Sequence, residues 1–141
     1  GDGRPVDEAE HLRLRSILEA CWTAFDAAVR ESAEKELRKG PRGGGRDLEK
    51  IVSHVLGAED GYLKQLGGKS RQPEPGDSQE ELDRFRQGIL ETLAAAVRGE
   101  IPARGPRGGV RWTPRYFVRR EAWHVLDHAW EIEDRSIDPT E

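Results

Sequence analysis

Four stretches of the chain place apolar residues at helical spacing, separated by segments rich in glycine and proline. In the first, Leu12, Leu14, Ile17, Leu18, Cys21, Trp22, Phe25 and Val29 make a broad apolar face. Asp7 and Glu10 have the spacing of a capping box, with Asp in place of the usual Ser or Thr, and Gly40-Pro41 must end the helix. The second runs from about Asp47 to Leu66 on Leu48, Ile51, Val52, Val55, Leu56, Tyr62 and Leu63, and stops at Gly67-Gly68. Gly57 and Gly61 each weaken it by about 1 kcal/mol relative to Ala, unless they mark a close approach. Ser78 and Glu81 form a regular capping box for the third, which carries Leu82, Phe85, Ile89, Leu90, Leu93, Ala94 and Val97 toward a stop at Gly99. Val110, Trp112 and Tyr116 alternate as in a strand, but Pro114 argues against one. Thr113-Pro114 reads better as an N-cap followed by proline at the first helical position, and the fourth helix then extends to about Arg135.

Four amphipathic helices with no paired strand signal predict an all-α four-helix bundle. The three modest connections favour antiparallel neighbours and hence an up-down topology. A length of 141 residues suits one domain, 1–141, with one core. The chain opens Gly-Asp-Gly and contains no methionine, as expected of a piece of a longer protein. Charged and hydrophobic residues each make up 35%, a polar balance in which the periodicity, not the composition, argues for folding. A net charge of −4 gives no case for nucleic-acid binding. One cysteine excludes an internal disulfide and fits a reducing, cytoplasmic compartment. No apolar run is long enough to predict a membrane span.

The stretch "EAWHVLDHAWEIEDR" at 121–135 carries two of the chain's four histidines, His124 and His128, one helical turn apart. They lie on a stripe with Phe117, Glu121, Glu131 and Arg135, bordering the more apolar direction of Val118, Ala122, Val125, Ala129 and Ile132. His54 sits at a similar border on the second helix, so a bundle can bring three imidazoles from two helices together. Hydrogen-bonded packing is the commoner fate of such histidines, and spacing alone leaves both readings open. The Glu of a zincin helix is missing from His-Val-Leu-Asp-His. His11, early in the first helix among charged neighbours, reads as exposed.

One His in "DLEKIVSHVLGAEDGYLKQLG" and a His-x-x-x-His pair in "RREAWHVLDHAWEIEDR", in that order on a four-helix pattern, resemble the DinB-like superfamily over roughly residues 7–135. That superfamily also includes bacterial thiol-dependent transferases and mycothiol-dependent maleylpyruvate isomerases. The resemblance implies a divalent ion of zinc, nickel or iron type held by His54, His124 and His128, and a homodimer. It does not imply DNA binding.

Three neutral histidines leave open positions on a zinc-like ion, where water or a thiol becomes more acidic. The function that the resemblance implies is a metal-dependent transferase or isomerase that uses a low-molecular-weight thiol on an electrophilic small-molecule substrate. The alternatives are a non-catalytic metal-binding stress-response module, and an interaction module whose histidines only pack. Glu121 and Glu131 share the histidine stripe and are candidates to hold a ring nitrogen from behind, although Glu131 could equally pair with Arg135. "GPRGG" occurs at 40–44 and again at 105–109. In an up-down bundle both copies lie at one end, so Arg42 and Arg107, with Arg38, Lys39, Arg46, Arg104 and Arg111, would form a cationic mouth for an anionic ligand. The competing readings are solvated loops and, more weakly, an RNA-contacting segment. Both stretches lack the Lys-Ser/Thr ending of a phosphate loop. Trp112 and Tyr116 are placed to line a pocket near that mouth. Cys21 reads as buried, and Trp22, Trp123 and Trp130 as core or interface fillers.

Overall fold

The computed structural model describes residues 4–39, 44–69, 72–74 and 77–135. Among them are four helices, α1 (Glu8–Lys39), α2 (Gly44–Leu66), α3 (Gln79–Val97) and α4 (Pro114–Arg135), and no strand. Among the described residues, the one bridge between extended segments is the isolated pair Arg104 and Val110, inside the connection before α4.

Local chemistry sets most helix ends. Asp7 Oδ1 accepts from the Glu10 N–H at 2.8 Å, and Ser78 Oγ from the Glu81 N–H at 3.3 Å. Thr113 Oγ1 caps Tyr116 at 3.2 Å, and Pro114 opens α4 where its missing N–H costs nothing. At the end of α3, Gly99 takes φ +74°, with Glu100 N–H bonded to Ala95 O and Gly99 N–H to Ala96 O. This is a Schellman stop, and it needs a residue without Cβ strain at the left-handed position. Helix α2 starts earlier than Asp47, because a first turn can be glycine-rich without disturbing the apolar face that follows.

The order of helix directions differs from the up-down expectation. Arg115, at the start of α4, binds Glu10, at the start of α1, through two contacts of 2.5 and 2.6 Å, and also reaches the Arg4 and Pro5 carbonyls. So α1 and α4 run parallel. Trp112 N–H donates to Gln65 O at the end of α2 at 2.8 Å, so α4 starts where α2 finishes. Gly68, just beyond α2, lies against Thr92 near the end of α3, and Gly67 lies against Ile101, just beyond α3. Both α2 and α3 therefore finish at that same end, and the directions are up, down, down, up. The physical reason is the 67–78 connection. A dozen residues can reach roughly 40 Å when extended, more than the roughly 28 Å of a 19-residue helix. Within that connection, Gln72 sits beside α2, 3.7 Å from the position of a Cβ on Gly57. Gly57 thus admits the returning chain, while a Cβ on Gly61 would meet nothing within 4 Å.

The core takes Leu18, Cys21, Trp22 and Phe25 from α1, Val55 and Leu63 from α2, Ile89 and Leu93 from α3, and Phe117, Val125 and Ile132 from α4. A polar layer crosses it. Arg86 makes a two-pronged ion pair with Asp26 at 2.7 and 2.8 Å and lies over the Trp22 ring. Trp22 Nε1 donates to Glu59 Oε2 at 3.2 Å. Among the described residues, no helix is long and apolar enough to cross a membrane.

Candidate metal centre

Because α2 and α4 run antiparallel and side by side, the middle of one faces the middle of the other. His54 then meets His124 and His128, which occupy successive turns of α4. The ring centroids are 5.2 Å apart for His54 and His124, 4.9 Å for His54 and His128, and 4.5 Å for His124 and His128. One nitrogen from each ring lies within 4.8 Å of the other two. His54 is exposed and the other two are half-buried, so the cluster sits at the surface of the α2–α4 seam.

Two features of this cluster suit a metal ion. First, His124 Nε2 and His54 Nε2 point at one another at 3.4 Å. Two imidazole nitrogens on one tetrahedral ion, each about 2.0–2.1 Å from it, stand about 3.3 Å apart. Second, buried imidazoles normally find acceptors for their N–H groups, whereas His124 Nδ1 is buried with no hydrogen-bond partner among the described residues. His128 Nδ1 approaches Glu131 Oε1 at 3.4 Å, which leaves Nε2 as the nitrogen to offer to an ion. Burial, with the neighbouring His128 and His54 next in weight, pushes the His124 pKa down to about 4. His124 therefore stays neutral at neutral pH, the form that offers a lone pair. The donor set and its spacing fit one divalent ion.

Among the described residues, no carboxylate stands behind His124. Glu121 is fully buried and turned into the core toward Glu59, not toward a ring nitrogen. This corrects its expected role, and the reason is angular. At about 100° per residue Glu121 lies only about 40° round α4 from Val125, at the centre of the buried face. Among the described residues, no donor from elsewhere reaches either Glu121 oxygen. Burial raises the Glu59 pKa to about 7, and burial followed by the Glu59 charge holds Glu121 well above the usual carboxylate range. The pair holds at least part of its protons at neutral pH. Glu59, Arg86 and Asp26 did not figure among the sequence candidates. The available signal was that Glu59 falls on the stripe of Val55, Leu56, Leu63 and Leu66, and Arg86 on that of Phe85, Ile89 and Leu93.

The shared cationic mouth does not form. The helix ends joined through Arg42 lie at the opposite end of the bundle from the start of α4, beside which Arg107 lies. Arg42 itself lies outside the described residues, as do the side chains of Arg38, Lys39 and Arg46. Arg107 is exposed and lines, with Lys64 and Arg111, a groove of about 310 Å³ at the end of α2, whose walls include none of the three histidines. What borders the cluster instead is aromatic. Tyr62 stands edge-on to His124 at 5.6 Å and beside Trp112 at 5.3 Å, and Trp112 meets Tyr116 at 4.8 Å. Cys21 is buried, and burial raises its thiol pKa. Trp22 is buried as expected, whereas Trp123 and Trp130 are exposed and fill no part of the core.

A family model described as the DinB superfamily matches residues 17–132, a span that contains all four helices in whole or in large part and all three clustered histidines. No curated protein and no solved structure matches the chain.

Proposed function

Since the chain belongs to the DinB superfamily, we propose that it is a metal-dependent enzyme that transfers or isomerises small electrophilic substrates with the help of a low-molecular-weight thiol. The observation that carries this reading is the convergence of three imidazole nitrogens within 4.8 Å at the α2–α4 seam. A divalent zinc, nickel or iron ion bound there would supply a Lewis acid with open positions, able to make a thiol or water more acidic.

The chain's own residues do the rest. His124 is kept neutral by burial and needs no deprotonation before it ligates. Glu131 holds Nδ1 of His128 and leaves Nε2 as the nitrogen to offer to an ion. Exposure of His54 leaves the cluster open on one side, so a thiol and its electrophilic partner can approach from solvent. In transfer to an epoxide, the thiol sulfur forms a bond to carbon, the C–O bond breaks, and the thiol proton, passed through solvent on that open side, ends on the released oxygen. The Tyr62 and Trp112 rings wall the other flank.

The second reading is a metal-binding module without catalysis. It is favoured by the orientation of Glu59 and Glu121, which face each other in the core and leave neither able to act as a general base at the histidines. The two readings are separated by loading the purified protein with zinc, nickel or iron(II) and following thiol consumption with electrophiles such as maleate analogues and epoxides. Turnover lost in His128→Ala supports the enzyme. Stoichiometric metal with no turnover over a panel of thiols supports the module.

A further inference from the structure

Arg120 lies on α4 one turn before His124. Arg15, Arg84, Arg86, Arg98 and Arg115 each pair with a carboxylate, on Glu19, Glu81, Asp26, Glu100 and Glu10 respectively. No carboxylate among the described residues pairs with Arg120. Its guanidinium instead rests on aromatic faces, 5.5 Å from the Tyr62 ring centre and 6.0 Å from that of Trp112. Tyr62 in turn abuts His124. Arg120 and His124 are one turn apart on α4, about 6 Å along the axis. The result is a planar fork of N–H donors beside the histidine cluster, held by two rings from α2 and the connection before α4, with its charge unspent.

We propose that Arg120 is a specificity-determining residue that binds the carboxylate of a small organic acid whose other end reaches the histidine cluster. The ligand is a short acid, because the guanidinium and the His124 ring both border the one Tyr62 ring, at 5.5 and 5.6 Å from its centre. A carboxylate matches the guanidinium geometrically with two parallel hydrogen bonds, which an alcohol cannot do. Tyr62 and Trp112 keep the fork in place before the ligand arrives, so little side-chain freedom is lost on binding. The placement of the ligand's far end rests on the metal reading above, whereas the carboxylate contact does not.

The test uses 3-mercaptopropionate, its uncharged analogue 3-mercaptopropan-1-ol, and propionate, each titrated into metal-free and zinc-loaded protein. Binding is read by calorimetry and by the side-chain Nε–H resonance of Arg120, assigned by its loss in Arg120→Lys. In zinc-loaded protein the mercapto acid is expected to bind about tenfold tighter than the alcohol and to shift the Arg120 resonance saturably. Propionate should shift that resonance in the metal-free protein as well, more weakly. Arg120→Gln should remove the preference for the acid and leave zinc content and alcohol affinity unchanged, and Arg120→Lys should keep part of the preference. An Arg120 resonance that ignores both acids, or a preference that survives Arg120→Gln, overturns the proposal. A response to propionate with no added effect of the thiol would instead uphold the carboxylate site and count against the thiol chemistry.

Discussion

Replacing Glu121 by Gln should stabilise the protein at pH 8 while doing little for it at pH 5. Glu121 and Glu59 are about 0 and 1% exposed and face each other across the α2–α4 packing. Burial raises the Glu59 pKa from 4.5 to about 7. At about 1.4 kcal/mol for each pKa unit, ionising Glu59 in the folded state costs roughly 3 kcal/mol more than in the unfolded chain. The sign follows from proton counts. Between pH 4.5 and about 7 the folded state holds more protons than the unfolded state, so stability is full below 4.5 and falls as pH rises through that window. Glu121, whose pKa is also raised, prolongs the loss at higher pH. Glutamine keeps the shape, cannot ionise, and brings an N–H that can donate to Glu59, so the Glu59 pKa should fall. The expected gain at pH 8 is on the order of 1–3 kcal/mol, or several degrees in Tm. Urea titrations at pH 5, 6.5 and 8 measure it, with the wild type losing stability across the series and Glu121→Gln staying nearly flat. If Glu121→Gln is destabilised more at pH 8 than at pH 5, the two carboxyls do not compete for protons and the reasoning is wrong.

Cys21 should react with a thiol reagent slowly in the native protein and fast after denaturation, because it is 4% exposed with a raised pKa. Fast native labelling would reveal a thiol open to solvent. Gly99→Ala should cost about 1 kcal/mol, through the positive φ alone, since a Cβ there meets no atom within 4 Å. A neutral result by thermal denaturation would mean that α3 ends without the Schellman turn.

The parts of the fold that depend on near neighbours were legible in the sequence. Ser78 with Glu81, Thr113-Pro114 and Gly99 set helix ends through bonds spanning a few residues, and these sit where their spacing predicted. Helix direction was not legible, because a connection of the length of 67–78 can either turn back at once or climb the bundle, and only packing against Gly57 decides. That one choice made Arg42 and Arg107 look like neighbours. The histidines were legible as two borders of apolar stripes, and either helix order would have allowed them to meet. Glu59, Glu121 and Arg86 were hidden for a different reason. Each occupies a core position in a run of apolar residues, and its partner lies on another helix, as Asp26 does for Arg86. Trp123 and Trp130 mark the limit of size as a guide, since both large rings lie on the outer side of α4.

The central claim is that His54, His124 and His128 hold one divalent ion. Its most direct test is elemental analysis of protein equilibrated with zinc at pH 7.5 and freed of loosely bound metal, for the wild type, His128→Ala and the triple alanine variant, with circular dichroism to confirm folding. The account predicts one ion per wild-type chain, no stoichiometric ion in His128→Ala, and helical content unchanged in both variants. A folded triple variant that keeps one ion per chain would contradict it.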